Sequence, residues 1–423
     1  MKQLAALAIA LIMCIPVRPA AAQGWDIRID SHSYVPQRLL AIDKSSQTFY
    51  LLERKSPIRV VNTFPCATGQ ATGDKELEGD RRTPEGVYFV ERRIRTDELD
   101  YKLYGESAHA LNFPNPVDRI KGKTGYGIWI HGRGKELLPR DTRGCVALSN
   151  QDILSIDPDL QNGTPVVIAD KVTWNPDPGQ SELVADELVE RVIDWAANWQ
   201  NRNDDFFAHY DPQRFAISEH APFRSFRDHK ERIFHSQPWI QVMVDNIHAM
   251  KGPDYWITWF DQYYRTQDLT SLTGKRFYWQ QDDSGTWRIV GREYTAPSPD
   301  LEKHYLARKR IEIQPLLNGW IEAWQRADPA AYAAYYARDA RQDNRRGLDD
   351  IRDYKARLWK DKAPSEINID DVTVEPDTQG LRVSFKQTYR DVSGYEDHGL
   401  KTLVLSPEGG TWHIIDEQWR KLS

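Results

Sequence analysis

The second half of the chain repeats itself, and this repeat limits the folds that the chain can adopt. Residues 183–294 and 313–419 carry matching residues in one order and at similar spacing. The matched residues are Trp195 and Trp320, Trp199 and Trp324, Lys230 and Lys355, Phe260 and Phe385, and Trp287 and Trp412. In each copy, apolar residues at helical spacing come first and strand-like runs follow. The repeat therefore predicts two copies of one α+β unit, with helices first and a curved antiparallel sheet after them.

The remaining sequence must form at least one more domain, because 423 residues are too many for one hydrophobic core. The composition, 40% hydrophobic and 28% charged, is typical of soluble globular domains. The net charge of −6 gives no support for nucleic-acid binding. Cys66 and Cys145 are the two cysteines beyond residue 22, too few for a disulfide scaffold. We interpret Cys66 as a buried free thiol.

The first 22 residues have the features of a signal peptide. Lys2 gives a basic start, residues 4–17 are mostly apolar, and three alanines at 20–22 precede Gln23. The apolar run is shorter than a transmembrane helix requires. We therefore expect a signal peptide at 1–22, export to the periplasm, and no membrane span in the mature chain.

Residues 37–90 read as a series of strands. Residues 38–43 and 48–53 are apolar runs on either side of a polar turn, which predicts a hairpin. A third run, 58–64, ends in a small-residue stretch that contains Thr68-Gly69. A loop rich in glycine and charge then leads to Thr83-Pro84-Glu85-Gly86, a turn signal before the next strand.

The stretch from 128 to 148 carries the candidate chemistry. An apolar run ends on His131-Gly132, a Gly- and Pro-bearing loop follows, and an apolar run resumes directly after Thr142-Arg143-Gly144-Cys145. An imidazole that takes the thiol proton lets the thiolate attack a carbonyl and form a thioester. Gly144 allows a turn that aims backbone N–H groups at the resulting oxyanion. We expect Arg143 to lower the pKa of the thiol.

The same residues resemble the signature of the L,D-transpeptidase (YkuD) family, peptidoglycan enzymes with a catalytic cysteine in a mostly β fold. The order of strand, Thr-Gly stretch, loop and Thr-Pro-x-Gly also matches, so the resemblance covers about 37–170. It implies that Cys145 is the nucleophile, that His131 is the base, and that the carbonyl of Gly132 orients the imidazole. The residues that it implies for oxyanion and substrate binding are Thr142, Arg143 and Gly144.

The segment upstream of the His-Gly strand has two interpretations. Asn112, Phe113 and Asp118 lie in a segment that resembles the family's region upstream of the His-Gly strand, where they would line the cleft. They would equally serve to shape a proline-fixed loop. Residues 163–168 look like the last strand of the domain.

Each copy of the repeat resembles the NTF2-like fold, a cone of sheet and helices around a pocket. The predicted fold class is therefore multidomain, with a mostly-β YkuD-type catalytic domain and two tandem α+β NTF2-like domains. Neither copy contains a nucleophile–base set, and His229, His235 and His248 lack metal-ligand spacing. We expect no metal and no organic cofactor. The predicted domains are 23–170, a linker at 171–182, and NTF2-like domains at 183–298 and 299–423.

This domain order resembles the L,D-carboxypeptidases that trim peptidoglycan and set cell shape in curved Gram-negative bacteria. The implied substrate is the L,D bond between the diamino acid and D-alanine of a tetrapeptide stem, and the expected product is a tripeptide. The alternatives are a 3→3 cross-link and the linking or unlinking of a lipoprotein. A rival from another class is a non-catalytic wall-binding scaffold. The NTF2-like copies are also candidate sites for oligomerisation or for a wall-protein partner.

Overall fold

The computed structural model describes residues 24–95, 97–175 and 179–422. Within this range the chain forms two compact units. The predicted signal peptide, 1–22, lies outside the described residues. The first unit contains residues 24–29, 38–113 and 123–175, and the second contains 30–37, 114–122 and 179–422. Two short segments inside the predicted catalytic domain thus belong to the second unit.

The chain up to residue 175 is mostly β, as the sequence predicts. Eight strands form one sheet in the order β4-β3-β2-β9-β5-β6-β7-β8, and β1 pairs with β10 separately. The elements, in chain order, are β1 (Asp26–Asp30), β2 (Arg38–Asp43), β3 (Thr48–Glu53), β4 (Arg59–Pro65), β5 (Gly86–Ile94), α1 (Tyr101–Tyr104), β6 (Ala108–Leu111), α2 (Pro116–Ile120), β7 (Trp129–Arg133), β8 (Val146–Ser149), α3 (Asn150–Ile156), β9 (Pro165–Ala169) and β10 (Lys171–Asn175).

The predicted hairpin is confirmed, because β2 and β3 pair antiparallel from Arg38 with Glu53 to Asp43 with Thr48. The strand predicted at 163–168 is β9, but it is not the last of the unit. β10 follows it, and the backbone N–H of Val172 donates to the Asp43 carboxylate at 3.0 Å. This bond holds β10 at the end of β2. In the predicted linker, 171–182, residues 171–175 are therefore strand, and residues from 179 on are helix.

The parallel pairing of β7 and β8 positions the candidate catalytic residues. Ile130 pairs with Val146, and His131 pairs with Ala147. Because parallel strands need a crossover between them, residues 134–145 leave the sheet and return beside β7. The residue that precedes β8 is Cys145, which therefore lies near the strand that carries His131.

The first copy of the repeat forms helices followed by a four-stranded antiparallel sheet, in the order β11-β12-β13-β14. The predicted apolar face of its first helix is confirmed, since Leu188, Val192, Trp195 and Trp199 are all buried. Its elements are α4 (Gly179–Asn201), α5 (Asp205–Ala208), α6 (Pro212–Ser218), α7 (Phe223–Ser236), β11 (Gln241–Lys251), β12 (Trp256–Arg265), β13 (Thr270–Gln281) and β14 (Trp287–Thr295).

The second copy follows the same plan with a six-stranded sheet, in the order β16-β15-β20-β19-β18-β17. The short helix that contains Tyr332 ends at Ala333. Tyr336 begins a strand and pairs in parallel with Ile414. The elements are α8 (Leu301–Gln325), α9 (Pro329–Ala333), β15 (Tyr336–Gln342), β16 (Arg345–Arg346), α10 (Leu348–Leu358), β17 (Pro364–Asp377), β18 (Gly380–Asp391), β19 (Glu396–Ser406) and β20 (His413–Lys421).

The strand registers match between the two copies, as the repeat predicts. Phe260 pairs with Lys275 in the first copy, and Phe385 pairs with Lys401 in the second. The two copies therefore share one α+β fold. None of the helices in the described ranges is long and apolar enough to cross a membrane.

Candidate active site

Cys145 lies at the turn that leads into β8, where its side chain is partly exposed. Within the described part of the chain, its thiol has one hydrogen-bond acceptor, the carbonyl of Gly127, at 3.5 Å from Sγ. The thiol proton is thus held by a weak acceptor just before β7. Cys66 is buried and both cysteines are free, which confirms the interpretation of Cys66 as a buried free thiol. Burial raises the pKa of Cys66 to about 12.

His131 is 2% exposed on β7, and one nitrogen of its ring has a fixed partner. Nδ1 lies 2.7 Å from the carbonyl oxygen of Gly132. Because a carbonyl can only accept, Nδ1 must carry the proton of the neutral ring, which leaves the lone pair on Nε2. Gly132 has no room for a side chain, since a Cβ would lie 2.4 Å from Oδ1 of Asn150 and 2.9 Å from Cγ2 of Ile153.

The turn before the cysteine is fixed by Thr142. Its hydroxyl donates to the carbonyl of Cys145 at 2.7 Å and accepts from the backbone N–H of Gly144 at 3.1 Å. Gly144 has a φ of +127°, and a Cβ there would lie 2.8 Å from the carbonyl oxygen of Arg82. Glycine is therefore required at this position, and Thr142 sets the path of the backbone beside the sulfur.

The small-residue stretch and the Thr-Pro-x-Gly turn support this same turn. The carbonyl of Thr68 accepts from the N–H of Thr142 at 3.1 Å. The N–H of Gly69 donates to the hydroxyl of Thr83 at 2.8 Å. These hydrogen bonds connect the Thr68-Gly69 stretch to both the Thr-Pro-x-Gly turn and the turn before Cys145.

In this structure both reactive groups are neutral near pH 7. Burial raises the pKa of the Cys145 thiol to about 11, although a backbone hydrogen bond from Trp129 and the charge of Lys75 oppose this. Burial, with a smaller effect from the charge of Arg133, lowers the pKa of His131 to about 4, while the hydrogen bond to Gly132 opposes the shift. At rest the pair is therefore a thiol and a neutral imidazole. The thiol can donate its proton, and the imidazole can accept it.

The expectation that Arg143 lowers the pKa of the thiol is wrong in this structure. Arg143 is exposed, and the cation that lowers the pKa of Cys145 is Lys75. Solvent screens an exposed guanidinium, whereas Lys75 is 4% exposed. Sequence reasoning missed Lys75, which lies in a loop with no pattern to distinguish one charged residue from another.

Tyr104 is a second neighbour of the site that the sequence did not indicate. Its ring lies 5.2 Å from the His131 ring and 5.4 Å from the Trp129 ring, measured between centroids. It ends α1, which Asp100 caps by accepting from the N–H of Lys102 at 2.9 Å. The signal in the sequence for this short helix was Asp100 before it and Gly105 directly after it.

The residues of the segment upstream of β7 have structural contacts. The side-chain oxygen of Asn112 accepts from the N–H of Phe89 at 2.7 Å, and Phe113 is part of the buried core. Asp118 and Asn115 form the capping box of α2. These contacts favour the loop-shaping interpretation over the cleft-lining one.

The structure thus brings all six sequence-predicted site residues into one turn and the strand beside it. Cys145, Thr142 and Gly144 are linked by hydrogen bonds, and His131 and Gly132 lie on the adjacent strand. Arg143 lies in the same turn but points its charge to solvent. Their roles in chemistry stay predictions.

Comparison with known families agrees with this geometry. Residues 37–168 match the YkuD family of L,D-transpeptidase catalytic domains. Residues 187–293 and 312–418, together half of the chain, match the Cds6 C-terminal NTF2-like domain. The predicted family resemblance and fold class are therefore confirmed.

Among curated proteins, the putative L,D-transpeptidase YafK of Escherichia coli K12 is 35% identical over 89 residues, which are 21% of this chain and 32% of YafK. The chain thus spans about a third of the length of the curated relatives that it matches. Among solved structures, the helical cell shape determining protein Pgp2 of Campylobacter jejuni is 26% identical with a TM-score of 0.50. That match covers 62% of this chain and 93% of Pgp2.

Bd1075 of Bdellovibrio bacteriovorus is similar in fold, with 23% identity, a TM-score of 0.50, and coverage of 64% of this chain and 97% of Bd1075. The chain belongs to the family of proteins with the Cds6 C-terminal NTF2-like domain, which it carries twice, behind a YkuD L,D-transpeptidase catalytic domain.

Proposed function

We propose that this chain is an exported, cysteine-dependent peptidoglycan enzyme that trims tetrapeptide stems to tripeptides. The bond that breaks is the L,D bond between the diamino acid at position three and D-alanine at position four. The observation that carries the proposal is the bond from His131 Nδ1 to the Gly132 carbonyl, which leaves Nε2 free to accept a proton near Cys145.

The reaction begins from the neutral pair. Nε2 of His131 accepts the thiol proton of Cys145 as the sulfur attacks the carbonyl carbon of the diamino acid. The tetrahedral intermediate then collapses, and the imidazolium gives the proton to the nitrogen of the departing D-alanine. A thioester on Cys145 remains, and the imidazole is neutral again. Water, activated by the same nitrogen, releases the tripeptide and restores the thiol.

The turn that Thr142 fixes supports a role for backbone N–H groups as oxyanion donors. The N–H of Cys145 lies beside the reacting sulfur, and the positive φ of Gly144 turns the chain there. Donors that are fixed before the reaction stabilise the oxyanion without reorganisation. Arg143, exposed and next to this turn, is suited to bind the carboxylate of the incoming stem.

We favour water as the acceptor because a YkuD domain followed by NTF2-like copies resembles the cell-shape L,D-carboxypeptidases. Pgp2, to which the chain is similar, is described as a helical cell shape determining protein. A tripeptide no longer has the bond to D-alanine, so trimming removes stems from the pool of acyl donors for 3→3 cross-linking. Formation of such cross-links, and the linking or unlinking of a lipoprotein, are the alternative uses of the same thioester. Since peptidoglycan lies outside the cytoplasmic membrane, the proposal places the mature chain in the periplasm.

Reaction in H₂¹⁸O distinguishes these acceptors. The protein is incubated with isolated disaccharide tetrapeptide, and the products are analysed by mass spectrometry, with Cys145→Ala as the control. Trimming predicts free D-alanine and a tripeptide with one ¹⁸O in its new carboxylate. Dimers without ¹⁸O at the new amide would indicate transpeptidation instead.

The rival proposal, a non-catalytic wall-binding scaffold, makes the opposite prediction. It requires binding to isolated peptidoglycan without any product that depends on Cys145. Retention of His131, Gly144 and Cys145 in connected geometry favours the enzyme. Equal product profiles for the wild-type protein and Cys145→Ala would favour the scaffold.

A further inference from the structure

A buried lysine lies in a loop that is bound to the segment before β7. Lys75 is 4% exposed, and its ammonium donates to the carbonyl of Leu77 at 2.9 Å and to the Asp80 carboxylate at 2.8 Å. Asp80 also accepts from the backbone N–H groups of Glu76 and Arg82, at 2.8 and 3.0 Å. Its pKa is lowered to about 2, chiefly by its hydrogen bond with Lys75 and by these N–H groups, against burial. The charge of Lys75 is therefore held in place by an ionised, fixed partner.

The loop that carries Lys75 is bound to the segment before β7. The N–H of Thr124 donates to the carbonyl of Glu76 at 2.9 Å, and the Thr124 hydroxyl accepts from the N–H of Glu78 at 3.0 Å. Lys123 donates to the Asp74 carboxylate at 2.6 Å. These bonds join residues 74–80 to residues 123–125, a connection made by backbone as well as by side chains.

Contacts continue from Lys75 to the sulfur. A Cβ at Gly125 would lie 3.4 Å from Cε of Lys75, so the lysine stem packs directly against this glycine. Two residues later, the carbonyl of Gly127 accepts from the Cys145 thiol. Lys75 thus supports the segment that contacts the nucleophile.

The charged groups around Cys145 differ in whether they stabilise the thiolate form of its side chain. His131 on β7 is neutral at rest, and Arg133, further along β7, acts on the imidazole. Arg143 in the cysteine turn is exposed. Arg82, whose carbonyl packs on Gly144, directs its guanidinium to the carbonyl of Asp74 at 3.3 Å. Lys75 is the cation in the described part of the chain whose charge favours the thiolate.

We infer that Lys75 is a positioning residue, held by Asp80, whose charge stabilises the Cys145 thiolate as His131 takes the proton. This inference rests on the proposed function, because it assigns Lys75 a part in the same acyl transfer. In this step the S–H bond of Cys145 breaks and an N–H bond forms at Nε2 of His131. Lys75 takes no part in these bond changes.

The test measures the thiolate directly. The rate at which iodoacetamide alkylates Cys145 is followed from pH 7 to pH 10.5 by mass spectrometry of the peptide that contains it. Lys75→Gln removes the charge but keeps a side-chain donor for the Leu77 carbonyl. Lys75→Arg keeps the charge. Lys123→Gln is the matched control, a lysine with a 6% exposed side chain in the same pair of segments that pairs with Asp74.

Lys75→Gln is expected to reduce the alkylation rate at pH 8.5 by about three- to tenfold and to move the pH profile upward, since one pKa unit changes the thiolate fraction tenfold. Lys75→Arg should restore most of the rate, and Lys123→Gln should leave the rate and profile unchanged. If Lys75→Gln does not fold, Lys75→Met is measured in its place.

An unchanged profile in Lys75→Gln, or an equal loss in Lys123→Gln, overturns the inference. Inactivity of the wild-type protein on tetrapeptides would refute the proposed function separately, because alkylation needs no substrate.

Discussion

Nδ1 of His131 lies 2.7 Å from the carbonyl oxygen of Gly132, the next residue on the same strand. This hydrogen bond between neighbouring residues therefore fixes the tautomer of the buried imidazole and leaves Nε2 as its basic atom. The pH dependence of catalysis follows from this relationship and from the burial of the ring.

Activity is expected to stay constant from about pH 5.5 to pH 8 and to fall as pH drops through about 4. The base must be neutral to accept a proton, and the pKa of His131 is lowered to about 4, below its ordinary value. Since protonation removes the base, activity is lost on the acid side. The measurement is kcat/KM for release of D-alanine between pH 3.5 and pH 8. An acid limb centred near pH 6.5 would contradict the assigned environment of His131.

Tyr104→Ala is expected to lower kcat by about tenfold and to move the acid limb toward higher pH. Removal of the ring at 5.2 Å exposes the imidazole to water, which reduces the desolvation that lowers its pKa. Tyr104→Phe keeps the ring and should behave like the wild-type protein. Tyr101→Phe, at the start of the same helix, serves as the control. The idea fails if Tyr104→Ala loses activity with no movement of the acid limb.

Thr142→Val should destabilise the protein by about 1–3 kcal/mol and reduce kcat more than it changes KM. The hydroxyl makes two hydrogen bonds within the cysteine turn, and its loss leaves a buried N–H and a carbonyl without their partner. Thr142→Ser keeps the hydroxyl and should retain most of both properties. Chemical denaturation and steady-state kinetics provide the two readouts. Full activity in Thr142→Val would show that the turn is set by other contacts.

Glu417→Gln is expected to cost about 3–5 kcal/mol of stability, because it breaks a buried ion pair. Glu417 is 3% exposed, pairs with Lys401, and accepts from the hydroxyl of Tyr332 at 3.0 Å. Its pKa is lowered to about 2, so its contribution is present above about pH 4.5 and is lost as pH falls toward 2.

Denaturation at pH 7 and at pH 3 measures both effects of this substitution. Glu366→Gln, which removes an exposed pair with Arg390, should cost under about 1 kcal/mol. A loss in Glu417→Gln no larger than in Glu366→Gln would contradict the account.

Lys230→Met is expected to stabilise the first NTF2-like copy by about 1–4 kcal/mol at pH 7. Arg292 pairs with Phe277 in the first sheet, and Glu417 pairs with Leu403 in the second. The two positions match in the repeat, so the first copy has a cation where the second has a carboxylate. Burial and Arg292 lower the pKa of Lys230 to about 7. The unfolded chain thus binds the proton more tightly, and the penalty shrinks as pH rises from 7 toward 10.5.

The matching variant in the second copy, Lys355→Met, should gain less, because burial lowers the pKa of that lysine only to about 8, with the charge of Glu417 opposing the shift. Thermal and chemical denaturation at pH 7 and pH 9.5 make the comparison. A loss of stability in Lys230→Met would mean that the contact of its ammonium with the Trp199 ring, at 3.5 Å, outweighs the cost of burial.

The local elements and the repeat could be predicted from the sequence, because periodicity and turn residues are local signals. The β2–β3 hairpin and the buried face of α4 are examples. The cysteine turn was also predictable, since its Thr, Gly and Cys are adjacent in the chain. Lys75 and Tyr104 were not, because their proximity to the site depends on contacts between segments distant in sequence.

The charge state of the site could also not be predicted from the sequence. Arg143 is adjacent to the cysteine turn in the chain, yet solvent exposure screens it, whereas burial makes Lys75 effective. Desolvation is a property of the folded environment, so neither the raised pKa of Cys145 nor the lowered pKa of His131 follows from residue identity.

The proposed function requires Cys145 to form a covalent acyl-enzyme with a peptidoglycan stem. The most direct measurement mixes the protein with disaccharide tetrapeptide, quenches in acid within the first turnover, and determines the intact mass and the modified residue. We predict a mass increase equal to the disaccharide tripeptide acyl group, located on Cys145, with one D-alanine released per adduct, and neither event in Cys145→Ala. Release of D-alanine by Cys145→Ala at the wild-type rate, without an adduct on the wild-type protein, would contradict the account.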